Sequence, residues 1–146
     1  MADGATIWGD NVLDPVRAWV VNFFSAADTR GEQAAQQFAD CFSEDAHQEG
    51  MGAPLNGREE IRKSRLGAWD SVETRKHVLH KVYSLDSTSR DILILGKLES
   101  MLKNGKSFEM EFAAQAIFED ATSSSLKCKN YKIWADKRIA LEAAKQ

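Results

Sequence analysis

Apolar residues fall into two rhythms along this chain, one for each half. In the first half they recur every three to four positions. Val16, Trp19, Val20, Phe23 and Ala27 follow the i, i+3, i+4, i+7 spacing that sets a single stripe on one face of a helix. Asp14 and Pro15 stand at the start as N-cap and first helical position, since an Asp oxygen caps free N–H groups and proline lacks a donor there. Arg30 and Gly31 interrupt the stripe, and Ala35, Phe38, Ala39 and Phe42 resume it in a second helix. Residues 43–51 predict a short strand with a loop, and 54–57 a turn. Residues 58–69 predict a third helix with Ile61, Arg65/Leu66 and Trp69 on one side.

The second half changes period. Residues 76–85 alternate poorly but are rich in Val, Leu, His and Tyr, while 91–103, 106–120 and 126–136 are long strand candidates. Residues 137–146 are good helix formers, a short cap or a tail. Three helices followed by a meander of strands predict an α+β domain, with helices on one face of an antiparallel sheet.

The turn Lys103-Asn104-Gly105-Lys106 allows two registers, a two-residue turn or a three-residue loop ending in a left-handed glycine. The three-residue loop pairs Leu98 with Met110, Gly96 with Phe112 and Ile94 with Ala114, and sets Lys97 opposite Glu111 and Glu99 opposite Glu109. The two-residue turn would place Leu98 beside Glu111. Only the bulged hairpin separates apolar from charged faces, so it is the register expected.

Composition narrows the classes. A chain of 146 residues, 43% apolar and 28% charged, fits one domain, 1–146, with its core at about 12–136. A net charge of −3 without a basic stripe argues against nucleic acid. Residues 1–10 lack the apolar region of a secretory signal, and no apolar run approaches the roughly 20 residues of a membrane span. Cys41 and Cys128 lie far apart and match no metal or redox spacing, so a reduced, cytoplasmic setting is the simplest reading.

The succession of Asp28 after an amphipathic helix, QFADCFSEDA (37–46), NGREEIR (56–62), KHVLHKVY (76–83), a glycine-bearing hairpin and NYKIWAD (130–136) resembles the nuclear transport factor 2-like superfamily. Within it the SnoaL-like group of cyclases, isomerases and scytalone dehydratase-like proteins is the most similar. The resemblance implies a curved sheet forming a cone behind three N-terminal helices, around an apolar pocket. It implies a cofactor-independent lyase or isomerase acting on a hydrophobic polyketide- or terpenoid-like substrate in secondary metabolism. A ligand-binding or dimerisation module on the same fold is the alternative, and a homodimer pairing through the outer sheet face is expected.

The same resemblance places acid–base work on Asp28 and His77. Asp28 otherwise reads as a cap for the second helix, and His77 as a histidine satisfied within the sheet. Tyr131 would supply a pocket hydroxyl or else belong to the core, and Trp19, Phe23, Leu98, Ser100, Met110, Phe112 and Ala114 would line the substrate's wall. Gly96, Ala114 and Ala116 are the small residues expected to leave it room. The sequence departs from the dehydratases: residues 100–102 hold no second histidine, and Phe23, Phe24 and Ala27 stand where those enzymes carry a tryptophan and a tyrosine. No metal is expected, since His47 and Glu49 sharing a strand face make only two ligands. Glu99 opposite Glu109 reads either as a proton-sharing dyad or, with Lys97 and Glu111 beside it, as a solvated or partner-facing surface.

Overall fold

The computed structural model describes residues 5–123 and 125–145. The remainder of the N-terminal segment considered above, residues 1–4, lies outside them, as does residue 146 of the tail. Among the described residues four helices, α1 (Asp14–Ala27), α2 (Glu32–Asp40), α3 (Arg58–Gly67) and α4 (Arg138–Ala144), accompany seven strands. The strands are β1 (Ile7–Trp8), β2 (Phe42–Glu49), β3 (Leu55–Asn56), β4 (Val72–Ser84), β5 (Asp91–Leu102), β6 (Ser107–Phe118) and β7 (Cys128–Ala135). They form one sheet in the order β1-β4-β5-β6-β7-β2-β3. The class is α+β as expected, but the sheet is mixed, because β1 runs parallel to β4 and β2 parallel to β7.

Local capping departs from the expectation in one place. Leu13 is the N-cap of α1 with no side-chain cap bond, so Asp14 lies inside the first turn, where its charge favours the helix dipole. Phe42 is not helical but opens β2, and it is fully buried there. Residues 54–57 hold the short strand β3, and α3 stops at Gly67, short of Trp69.

The β5–β6 hairpin has the bulged register. Gly105 has a φ of 88°, and Leu98 faces Met110, Gly96 faces Phe112 and Lys97 faces Glu111. Alternation on β5 is clean: Ile92, Ile94, Leu98, Ser100 and Leu102 are all buried. The weak alternation of β4 has a structural cause, for its pairing with β5 shifts between Val72 and Thr74 and again between Leu79 and Lys81. Each irregularity inserts a residue and swaps the faces that follow it.

Helices α1 and α2 cover the inner face. Phe23 stacks on Trp19 and Phe38 with centroids 4.6 Å away in each case, and Trp19 meets Phe118 edge-on at 4.9 Å. A smaller cluster of Trp69, Val72 and Leu102 lies at the far end, with Ala143 of α4 packed against it. Asn104 also donates to the Ala143 carbonyl, so the tail docks as a helix.

Gly96 leaves no room. A Cβ there would sit 2.5 Å from the Val78 carbonyl oxygen and 3.1 Å from the Phe112 ring. Gly96→Ala is therefore expected to cost about 1–3 kcal/mol through overpacking. Gly105→Ala meets nothing within 4 Å and carries only its positive φ, a strain of about 1 kcal/mol. Urea unfolding of both variants checks the ordering, and a larger loss at Gly105 would refute it.

Candidate active site

Asp28 follows the last residue of α1, where its own N–H donates to the Phe24 carbonyl at 3.0 Å. A carboxylate here opposes the helix dipole. It does not cap α2, whose N-cap is Gly31. Its two oxygens instead reach β4: Oδ2 accepts the His77 backbone N–H at 2.8 Å, and Oδ1 lies 2.5 Å from His77 Nδ1. Contact through two oxygens fixes both the position and the rotation of the carboxylate. Arg30, just beyond, donates to the Val72 and Glu73 carbonyls and ties the α1–α2 connection to the start of β4.

Charge states follow from these contacts. Burial alone would raise the Asp28 carboxyl, but hydrogen bonds from the His77 ring and backbone, with the ring's charge, hold it below its usual value. Asp28 is thus ionised at neutral pH, and Nδ1 of His77 must carry the proton they share. Burial lowers the His77 pKa most, Asp28 pulls it back up, and the Arg75 and Arg65 charges lower it again. The net direction is down, so the ring is neutral at pH 7 and Nε2 carries the lone pair. Phe24 and Phe112 hold the ring in place, with centroids 5.0 and 5.7 Å away.

His77 lines a cavity of about 370 Å³ between the inner face of the sheet, α1 and α3. Phe23, Leu98, Met110, Phe112 and Tyr131 line it too. Burial, with a contribution from Cys128, pushes the Tyr131 hydroxyl well above its usual pKa, so it stays protonated.

Three residues assigned to this wall lie elsewhere. Trp19 faces an outer groove of about 730 Å³ between α1 and α2 and donates its Nε1–H to the Cys41 carbonyl. Ser100 is buried with its hydroxyl on the Thr74 carbonyl at 3.0 Å. Ala114 is fully buried in the packed core, as is Ala116, so neither supplies the vacancy. The outer groove is larger and is lined by Asp14, Asp40 and Lys127, with no histidine among its lining residues.

Arg65 of α3 and Arg75 of β4 also line this cavity. The pairing of Asp28 and His77 therefore has two cations beside it, where the sequence suggested an otherwise apolar setting. Arg65 donates to the Ala27 carbonyl at 2.7 Å and lies over the Phe38 ring, while Arg75 lies over Trp69 at 5.1 Å. Both signals were in the sequence: Arg65 falls one turn after Ile61, and Arg75 is two residues before His77 on one strand face.

The other constellations are accounted for locally. Lys97 bridges Glu99 and Glu109 at 3.1 Å to each on the outer face. His47 contacts Asn56 and Glu49, and among the described residues no three potential ligands gather for a metal. No described helix is long and apolar enough to cross a membrane.

No protein-family model and no curated protein matches the chain. Solved structures do. A nuclear transport factor 2-like protein of unknown function from Burkholderia pseudomallei K96243 superposes with a TM-score of 0.75 at 12% identity, over 92% of this chain and 100% of that one. BvnE pinacolase from Penicillium brevicompactum gives 0.72 at 13% identity, over 92% and 91%. A candidate SnoaL-like polyketide cyclase from Shewanella denitrificans OS-217 gives 0.69 at 9% identity, over 87% and 94%.

Proposed function

We propose that this chain, whose fold is that of the nuclear transport factor 2-like superfamily in its SnoaL-like form, is a lyase or isomerase working by general acid–base catalysis on a small, largely apolar molecule. The observation that carries this reading is the Asp28–His77 pair set in the wall of an apolar cavity. The pinacolase and the candidate cyclase among its structural neighbours support it.

Asp28 holds the Nδ1–H tautomer, and Nε2 of His77 takes a proton from a carbon made acidic by an adjacent carbonyl. The imidazolium then returns that proton to a neighbouring atom or to a departing oxygen. Asp28 stabilises the charge in between. Tyr131, protonated throughout, donates a hydrogen bond to a substrate oxygen, and Phe23, Leu98, Met110 and Phe112 shape the apolar part. The sheet bends into a cone around the substrate. No cofactor is needed for these steps. A cavity of about 370 Å³ is near the lower limit of the roughly 300–1,000 Å³ usual for ligand sites, which favours one or two rings.

Proton abstraction has a readout that needs no knowledge of the natural product. In D₂O the protein should catalyse deuterium incorporation next to the carbonyl of some members of a panel of small cyclic and aryl ketones, followed by proton NMR. A panel that binds without exchange above the protein-free rate would end the enzyme reading and leave a ligand-binding module.

A further inference from the structure

The permanently charged side chains that line the cavity are both cations, beside the neutral polar groups of Gln48, Ser64 and Tyr131. Arg65 and Arg75 both face it, and Nε and Nη1 of Arg75 are buried without a hydrogen-bond partner. Among the described residues neither guanidinium forms an ion pair with a carboxylate. The nearby anion, Asp28, spends both oxygens on His77. A buried cation with unmet donors is costly, and removing it from water is repaid only when an anion meets it with good geometry.

These cations are also held still. Arg75 lies over the face of Trp69, whose other cation neighbour is Arg30 at 4.6 Å. Arg65 lies over Phe38 and is anchored on the Ala27 carbonyl. Stacking and anchoring of this kind pre-orient a planar guanidinium, so little freedom is lost when a ligand arrives. Around them Leu98, Met110 and Phe112 offer only apolar surface.

We propose that the cavity takes a carboxylate-bearing substrate, a small ring acid whose carboxylate docks on Arg75 beside Arg65 while its ring lies against Leu98, Met110 and Phe112. This rests on the cavity being the substrate site proposed above and names its substrate class. Burial lowers both guanidinium pKa values, that of Arg65 to about 10, with mutual repulsion adding to the shift at Arg65. Both remain charged at neutral pH, and an incoming carboxylate relieves their repulsion. Because Arg75 and His77 are two apart on one face of β4, the docked acid presents its neighbouring carbons to Nε2. A planar carboxylate suits a guanidinium through charge-assisted hydrogen bonds.

Binding of three probes, benzoate, benzamide and phenyl phosphate, measured by calorimetry or by NMR line broadening, tests this without any turnover. Benzoate should bind at least about 10-fold more tightly than benzamide, as a charge-assisted pair requires. It should also bind more tightly than phenyl phosphate. Arg75→Gln should abolish the preference for benzoate over benzamide while His77→Gln retains it. Arg65→Gln serves in its place if circular dichroism shows that the Arg75 variant does not fold. Equal binding of benzoate and benzamide, or a preference that survives in the folded arginine variant, overturns the proposal. Tighter binding of phenyl phosphate overturns the choice of carboxylate. Carboxylate-selective binding with no deuterium exchange in any ketone would leave this inference standing and remove the catalytic reading, so the two fail separately.

Discussion

His77→Gln should slow deuterium exchange into a responsive ketone by about 10²–10⁴-fold, the usual contribution of a general base. Glutamine roughly preserves the size and polarity of the imidazole but has no basic lone pair near neutrality. The contact between Asp28 and the backbone N–H of residue 77 does not depend on the side chain, so the end of α1 should stay docked on β4. The pH profile supplies a second readout. His77 has a lowered pKa, from burial first and then from the Arg75 and Arg65 charges, against the opposing pull of Asp28. A base must be unprotonated to act, so the rate should be level at neutral pH and fall as pH drops through a value below the ordinary 6.5 of histidine. Asp28, ionised to lower pH still, does not set this limb. A rate that rises as pH falls through the same region would mean that the imidazolium donates a proton, and the assignment of His77 as base would be lost. Unchanged exchange in a folded His77→Gln variant would remove it from the mechanism.

What the sequence revealed of this site depended on whether the information was local. The β5–β6 register followed from one criterion, separation of Lys97, Glu99, Glu109 and Glu111 from Leu98, Met110 and Phe112, because a one-residue slip mixes those faces. The resemblance named Asp28 and His77, and the structure brings them within 2.5 Å. Periodicity, however, reports the face of a strand and not which part of that face a helix covers. Ser100 and Ala114 share the inner face with Leu98 and Met110, yet Ser100 is engaged by Thr74 and Ala114 is sealed in the core. Trp19 belongs to the buried stripe of α1 but looks away from the cavity. The parallel pairing of β2 with β7 joins Phe42 to Cys128, a contact between distant parts of the chain that no local pattern encodes. Arg75 was hidden by habit of composition, since a long cation on a strand is ordinarily solvated. The regular run from Thr74 to Leu79 that sets Arg75 beside His77 is short, because a bulge flanks it at each end and spoils the alternation of β4 as a whole.

Phe23→Ala should be the most damaging single truncation of the core. Phe23 is 1% exposed, and its ring meets five others: Trp19 and Phe38 at 4.6 Å, Phe24 and Tyr131 at 5.0 Å and Phe42 at 5.6 Å. Those rings come from α1, α2, β2 and β7, so one side chain holds together both covering helices and one edge of the sheet. Deleting a buried phenyl group costs about 3–5 kcal/mol, and the cost is highest where neighbours cannot close the space. Here the surrounding rings belong to different elements, each pinned by its own backbone, which leaves little capacity to collapse. Against a total stability of about 5–15 kcal/mol, the melting temperature should fall by roughly 6–20 °C. Leu85→Ala is the control, because Leu85 is 77% exposed and its loss should stay within about 0.5 kcal/mol. The variant should also weaken ligand binding, since Phe23 forms part of the cavity wall as well as the centre of the aromatic cluster. Calorimetric melts of the three proteins decide the matter. A Phe23→Ala melting point no lower than that of Leu85→Ala would show that the cluster relaxes around the missing ring, and that the rigidity ascribed to this wall of the site is not there.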